Sequence, residues 1–198
     1  MYAYRIMTED ERRNVMNYRR LMKFPLHAPP HFGDEIGVYL LTAANYEHAH
    51  IMTSEQRRME FEDKIMSLLA TLPETEVRAW CILPNHYHLV VRMLLPAFKA
   101  AITRLHNGTS TQWNREDNTP GRKVWHHFSD RAIRSDRHYW VAVNYVNTNA
   151  VRHGYVKKSA EWPTSSFRCH LDELGLDRMK ELWAEYPIGE MGKGWDEI

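Results

Sequence analysis

Apolar positions along this chain follow two periods, and the changes from one to the other mark out its elements. Residues 36–42 (IGVYLLT) form a short apolar, β-prone run and predict a first strand. Met59, Phe61, Ile65, Leu68 and Leu69 then fall near helical spacing behind Ser54, which predicts a helix over 53–72. Two further β-prone runs follow at 77–83 (VRAWCIL) and 86–93 (HYHLVVRM). Pro84-Asn85 between them suits a tight hairpin. Residues 96–114 predict a second helix, with Gly108 as its weak point, and 118–121 (NTPG) read as a turn. A short last strand is expected within 124–134. Ser135 or Asp136 then caps a helix to about His153, which Gly154 stops in a left-handed conformation.

The order strand, helix, strand, strand, helix, strand, extra helix predicts an α+β fold: a ferredoxin-like, split βαβ antiparallel sheet with an added C-terminal helix. Ahead of it, Thr8 with Glu11 three residues on is a capping-box signature for a helix over 8–22. Pro25, Pro29 and Pro30 then break the chain. The expected organisation is therefore an N-terminal extension (1–34), one domain (35–168) and an acidic tail (169–198).

Composition changes this picture little, but charge distribution changes it more. Hydrophobic content of 43% and charged content of 26% are ordinary for a globular chain. No apolar run approaches the ~18–20 residues of a membrane span, and residues 1–14 lack a signal-peptide core, which favours the cytoplasm. Cys81 and Cys169 are too few for a disulfide framework and are expected to be buried thiols. The net charge of +1 hides an asymmetry: residues 99–158 hold eleven Lys/Arg against four Asp/Glu, whereas 161–198 hold four against nine. A basic middle beside an acidic end suits an anionic polymer as partner.

Two constellations can carry chemistry. In PNHYHLVV, strand alternation sends His86, His88, Val90 and Arg92 to one face, expected to be open, and Tyr87, Leu89, Val91 and Met93 to the other, under helices. Two imidazoles two residues apart on a strand can chelate one cation, though such pairs are more often surface histidines. On the last helix, Tyr139, Val143, Val146 and Ala150 form an apolar stripe, while Tyr145 and Asn149, four apart, share another face.

A strand PNHYH, then YxxxN in a helix some sixty residues later, then Gly154 and WPTSSF, resembles the single-tyrosine HUH transposases, in particular the REP-associated tyrosine transposases. The resemblance covers about residues 36–167 and includes AWCILPNHYHLVV, DRAIR at 130–134 and NYVNTNAVRHGYV. It implies the HUH endonuclease fold and a metal-dependent, single-strand DNA endonuclease and strand transferase. Tyr145 would be the nucleophile, forming a 5′-phosphotyrosine, and His86, His88 and Asn149 the ligands of Mg²⁺ or Mn²⁺. The implied substrate is a DNA hairpin with a short single-stranded flank, which sets the chain at the nucleoid; monomer and homodimer both remain open. Arg104, Arg115, Arg122, Lys123, Arg131, Arg134 and Arg137 are candidate phosphate contacts, and Trp113, Trp125 and Phe128 candidate stacking faces. His138 and His153 lie about two turns either side of Tyr145 and are candidate proton carriers. The chain departs from the family in having Asn149-Ala150 where Asn-Pro is frequent, and residues before about 35 have no counterpart. Two alternatives stand beside this reading: a catalytically silent, domesticated DNA-hairpin-binding regulator, and a small-molecule metal enzyme, which would need a further carboxylate or histidine.

Overall fold

The computed structural model describes residues 8–21 and 36–192, and the chain divides into two units, Met1–Glu35 and Ile36–Ile198. In the first unit, α1 (Glu9–Leu21) begins at the expected capping box. The Thr8 backbone N–H donates to Glu11 Oε2 at 2.7 Å, and the Glu11 N–H donates to Thr8 Oγ1 at 3.3 Å. The proline break at Pro25, Pro29 and Pro30 lies outside the described residues, as does the end of the acidic segment beyond 192.

The second unit is built on β1 (Ile36–Ala44), α2 (Glu55–Ala70), β2 (Glu76–Ile82), β3 (His86–Leu94), α3 (Leu95–Glu116), β4 (Ser129–Ala132), α4 (Asp136–Arg152) and α5 (Phe167–Glu185). The strands form one antiparallel sheet in the order β2-β3-β1-β4, the arrangement of a split βαβ fold. The element order predicted from periodicity is therefore the observed one. Ser54 caps α2 by accepting from Arg57 N–H, and Ser135 caps α4 by accepting from His138 N–H, both at 3.1 Å. Gly154 has φ +74°, the left-handed stop expected after α4. α3 starts with Pro96 in its first turn and runs through Gly108 without a break. Gly108 costs about 1 kcal/mol relative to alanine. The buried stripe Ile102, His106, Thr109 and Trp113 outweighs that.

Both faces of the sheet are covered, and this corrects the expectation of an open one. On one face, Tyr39, Leu41, Tyr87, Leu89 and Val91 pack under Phe61, Ile65 and Leu69 of α2 and Phe98, Ile102 and Trp113 of α3. Met59, counted in the predicted stripe, is exposed instead. On the other face, Leu40, Ala79, Cys81 and Val90 pack against Val143, Tyr145, Val146 and Ala150 of α4. Each fully buried aliphatic or aromatic side chain contributes roughly 1.5–3 kcal/mol.

α5 lies on the outer side of α4 and buries Met179 and Leu182. Asn144 Nδ2 donates to Leu182 O at 3.1 Å and Tyr186 O at 3.0 Å, tying the two helices together. The acidic charge expected of a tail is thus carried, from Phe167 to Glu185, by packed helical structure kinked at Gly175 (φ +76°). The WPTSSF segment joins it to β2. Ile82 N–H donates to Thr164 O, Trp162 Nε1 donates to Ile82 O, and Trp80 N–H donates to Ser166 Oγ, all within 3.0 Å. Of the two cysteines Cys81 is buried, its thiol pushed up to about 12 by desolvation, but Cys169 is exposed. Among the described residues no helix is long and apolar enough to cross a membrane.

Candidate functional site

The hairpin between β2 and β3 sets the start of β3, and alternation from there directs His86 and His88 onto the face that α4 covers. The cross-strand partners are Ala44 for His86 and Thr42 for His88. α4 brings Tyr145 and Asn149 down onto the same spot, one turn apart. The Tyr145 hydroxyl lies 3.2 Å from His88 Nε2, and Asn149 Oδ1 lies 3.3 Å from His86 Nε2. The two imidazole centroids are 4.9 Å apart. All four side chains are at most 1% exposed. The sequence set Tyr145 and Asn149 apart from the apolar stripe, yet both are buried beside it, because α4 is enclosed between the sheet and α5. The helix runs through Asn149-Ala150 without a kink, since alanine keeps the N–H that proline would lack.

The second nitrogen of each ring fixes what the first can do. His86 Nδ1 meets Asn85 Oδ1 at 2.7 Å. An amide oxygen only accepts, so Nδ1 carries the proton and Nε2 of the neutral ring presents a lone pair. That lone pair faces another acceptor, Asn149 Oδ1, while the buried Asn149 Nδ2 has no partner. His88 Nδ1 lies 2.8 Å from Thr42 Oγ1, and its Nε2 receives the phenolic hydrogen bond of Tyr145. Three neutral Lewis bases therefore converge: two imidazole nitrogens and one amide oxygen. This donor set fits a divalent cation, and neutral ligands would leave the ion its full charge for an anionic substrate. Among the described residues no three His, Cys, Asp or Glu side chains gather to hold a metal.

Several neighbours escaped the sequence reading. Asn85 was visible only as a hairpin residue and Thr42 only as the end of a strand; the turn geometry makes Asn85 a partner of the adjacent His86, and cross-strand register, which no spacing reveals, makes Thr42 a partner of His88. The segment from Ile188 to Gly192 lies over Tyr145. A Cβ placed on Gly192 would sit 2.8 Å from the Tyr145 hydroxyl and 2.7 Å from Cζ, and Arg152 lies 5.5 Å over the same ring. Gly192 also has φ +84°, so glycine is required there twice over. Ile188 and Met191 complete the apolar cluster beneath. Of the candidate proton carriers, His153 stacks edge-on against His86 with centroids 4.9 Å apart, whereas the pKa of His138 is lowered, first by desolvation and then by Arg131 and Arg134.

The candidate DNA contacts separate. Arg131 on β4 is exposed, and desolvation lowers its guanidinium pKa against an opposing electrostatic contribution from Tyr145. Arg115, Arg134 and Arg137 are exposed. Arg104 is exposed on α3, across the sheet from the histidines. Arg122 is engaged with Asn114 and Asp117. Trp125 is corrected from a stacking face to core: it is 8% exposed, stacks on His106 at 4.3 Å and donates through Nε1 to Thr109. Trp113 is core as well, and Phe128 packs edge-on against Phe98.

With known proteins the following likenesses emerge. No family model matches the chain. It is 30% identical over 93 residues to a REP-associated tyrosine transposase of Escherichia coli K12, which covers 46% of this chain and 54% of that protein. It is 32% identical over 107 residues to a Haemophilus influenzae protein given that name provisionally, covering 46% and 58%. The chain thus matches little more than half the length of these relatives. Among solved structures it is similar to a REP-associated tyrosine transposase bound to a REP hairpin, with a TM-score of 0.56 and 21% identity over 73% of this chain and 86% of that one. The resemblance to REP-associated tyrosine transposases drawn from motif order is therefore borne out, and the chain has the fold of that structure.

Proposed function

We propose that this chain is a divalent-metal-dependent endonuclease and strand transferase acting on single-stranded DNA beside a hairpin. The observation that carries the reading is that a helix-borne phenol meets the His88 imidazole, 57 residues away in the chain, at 3.2 Å, with the His86 ring next to it and the Asn149 amide oxygen 3.3 Å from that ring. The named relatives and the hairpin-bound structural neighbour support the substrate class.

A cation held by His86, His88 and Asn149 would supply Lewis-acid stabilisation to a phosphodiester. The Tyr145 oxygen would attack phosphorus, the bond to the 3′ oxygen would break, and a 5′-phosphotyrosine with a free 3′-hydroxyl would result. The phosphoester linkage is retained, so a second 3′-hydroxyl can reverse the step without an energy source. Asn85 and Thr42 hold the imidazoles with their Nε2 atoms turned inward. Arg131 contributes positive charge on the phenol side.

His88 Nε2 has one lone pair, which serves either the Tyr145 hydroxyl or an ion. Engaging an ion therefore releases the hydroxyl from the hydrogen bond seen here. The segment over Tyr145 must also move before a phosphate can approach the phenol. That cover is the observation favouring the second reading, a DNA-hairpin-binding protein without catalysis.

Incubation with hairpin oligonucleotides bearing single-stranded flanks and Mn²⁺ separates the two. A covalent protein–DNA adduct on a denaturing gel, abolished by Tyr145→Phe with hairpin binding retained, is expected for the enzyme. Binding without any adduct would sink the catalytic reading. Replacement of His86 and His88 by alanine should abolish adduct formation and its dependence on metal together.

A further inference from the structure

The chain leaving β1 makes an irregular turn at the same end of the sheet as His86, and three side chains on it and its neighbour form an outward-facing group. Ala44, the cross-strand partner of His86, accepts a hydrogen bond from His126 N–H at 2.9 Å. Asn45 N–H donates to Asn85 O at 2.7 Å and Tyr46 N–H to Val124 O at 2.8 Å. Tyr46 therefore follows Ala44 by two residues, at most ~7 Å of chain. Its ring lies 4.8 Å from that of His126 at 38°, and Lys123 Nζ sits 4.2 Å above its centroid. Lys123 and His126 are exposed and Tyr46 half-buried. The turn is held by two consecutive non-glycine residues in the left-handed region, Glu47 (φ 52°) and His48 (φ 48°). Such strain persists where the surrounding structure enforces it. Neither the metal–tyrosine centre nor the core uses this group.

We propose that Tyr46 and His126, with Lys123, form the stacking site for one unpaired nucleobase of the strand whose phosphate reaches the histidine–tyrosine centre. The inference rests on the reading of this chain as a single-strand DNA enzyme and adds the subsite that holds a base next to the cleaved linkage. Two aromatic faces and a cation suit a base, because every base has a π-face and a phosphate close to it. Lys123 lies on the Tyr46 ring as a cation–π partner. An incoming base takes its place, and the ammonium moves on its flexible stem to the adjoining phosphate. The exposed Glu47 carboxylate repels phosphate, so the DNA backbone runs on the Lys123 side.

The test uses the full chain, hairpin oligonucleotides with single-stranded flanks, and an abasic nucleotide moved through the flanks one position at a time. One position is expected to weaken wild-type binding by about tenfold when its base is missing. In Tyr46→Ala that same position is silent, because the contact is already lost, while Tyr46→Phe keeps the wild-type pattern. Lys123→Ala is expected to lower the slope of log affinity against log salt by about 0.7. A wild-type protein that binds and cleaves hairpins with a flat abasic scan would overturn the subsite and leave the enzyme reading intact. The subsite falls equally if Tyr46→Ala, melting at the wild-type temperature, keeps the wild-type scan. A wild-type protein that binds no hairpin DNA overturns both.

Discussion

The remote nitrogens of His88 and His86 are held by Thr42 and Asn85, which under the proposed function would orient both rings toward a metal. Thr42→Val keeps shape and strand propensity but removes the hydroxyl, and is expected to weaken metal affinity about tenfold. Calorimetric titration with Mn²⁺ checks this, and unchanged affinity would make the Thr42 contact incidental. A third buried histidine, His106, shows what burial alone does. It receives the Tyr87 hydroxyl at 3.0 Å, stacks on Trp125, and is pushed down to about 4 by desolvation from an ordinary 6.5. A depressed histidine favours the folded state when neutral. Its contribution is complete above pH 6.5 and is lost as the pH falls from there through 4. Asp117, which the Arg57 guanidinium holds at about 2 against an ordinary 3.8, gives a separate window lower down, with stability lost as the pH falls through 2. Denaturant titrations across pH 7 to 4 should show a decline in stability that flattens in His106→Gln, which keeps an acceptor for Tyr87.

Among the elements, the most consequential is the least regular one. Ile188 to Gly192 lies over the phenol, with Ile188 and Met191 against the second core cluster and Arg152 donating to Met191 O at 3.4 Å. α5 is different, because Met179, Leu182 and the Asn144 hydrogen bonds make it part of the core. Ending the chain after Pro187 should uncover the phenol and speed adduct formation with hairpin DNA. Ending it at 168 should destabilise the domain. A shortened chain that melts normally and reacts no faster would show that the cover does not limit the reaction. The elements themselves were legible because each agrees with its local signals: Ser54 and Ser135 as caps, Gly154 as a stop, Pro84-Asn85 as a hairpin. α3 ran past the point that Gly108 made doubtful, since burial of Thr109 and Trp113 outweighs one glycine. α5 was hidden in the sequence because Gly175, at φ +76°, interrupts it and its apolar residues form no single helical stripe.

For the whole molecule, a ligand that binds the folded state alone stabilises it by an amount set by its concentration over its dissociation constant, about 2.7 kcal/mol at a hundredfold excess. Near-saturating Mn²⁺ should accordingly raise the melting temperature by several degrees in the wild type and leave the doubly substituted His86→Ala, His88→Ala protein unmoved. An equal shift in both would move the cation elsewhere. The sequence by itself determined the element order and the caps, since period and turn chemistry are local properties, whereas Tyr145, His86, His88 and Asn149 were singled out by the motif order that carries the resemblance. It misjudged what depends on packing: the histidine face is closed by α4, Trp125 is core, and Cys169 is exposed. Only the tertiary structure decided which strand neighbours hold the imidazoles, which cations face the phenol and what covers it, because contacts between residues far apart in the chain are set by register and layer packing and leave no periodic trace in the sequence.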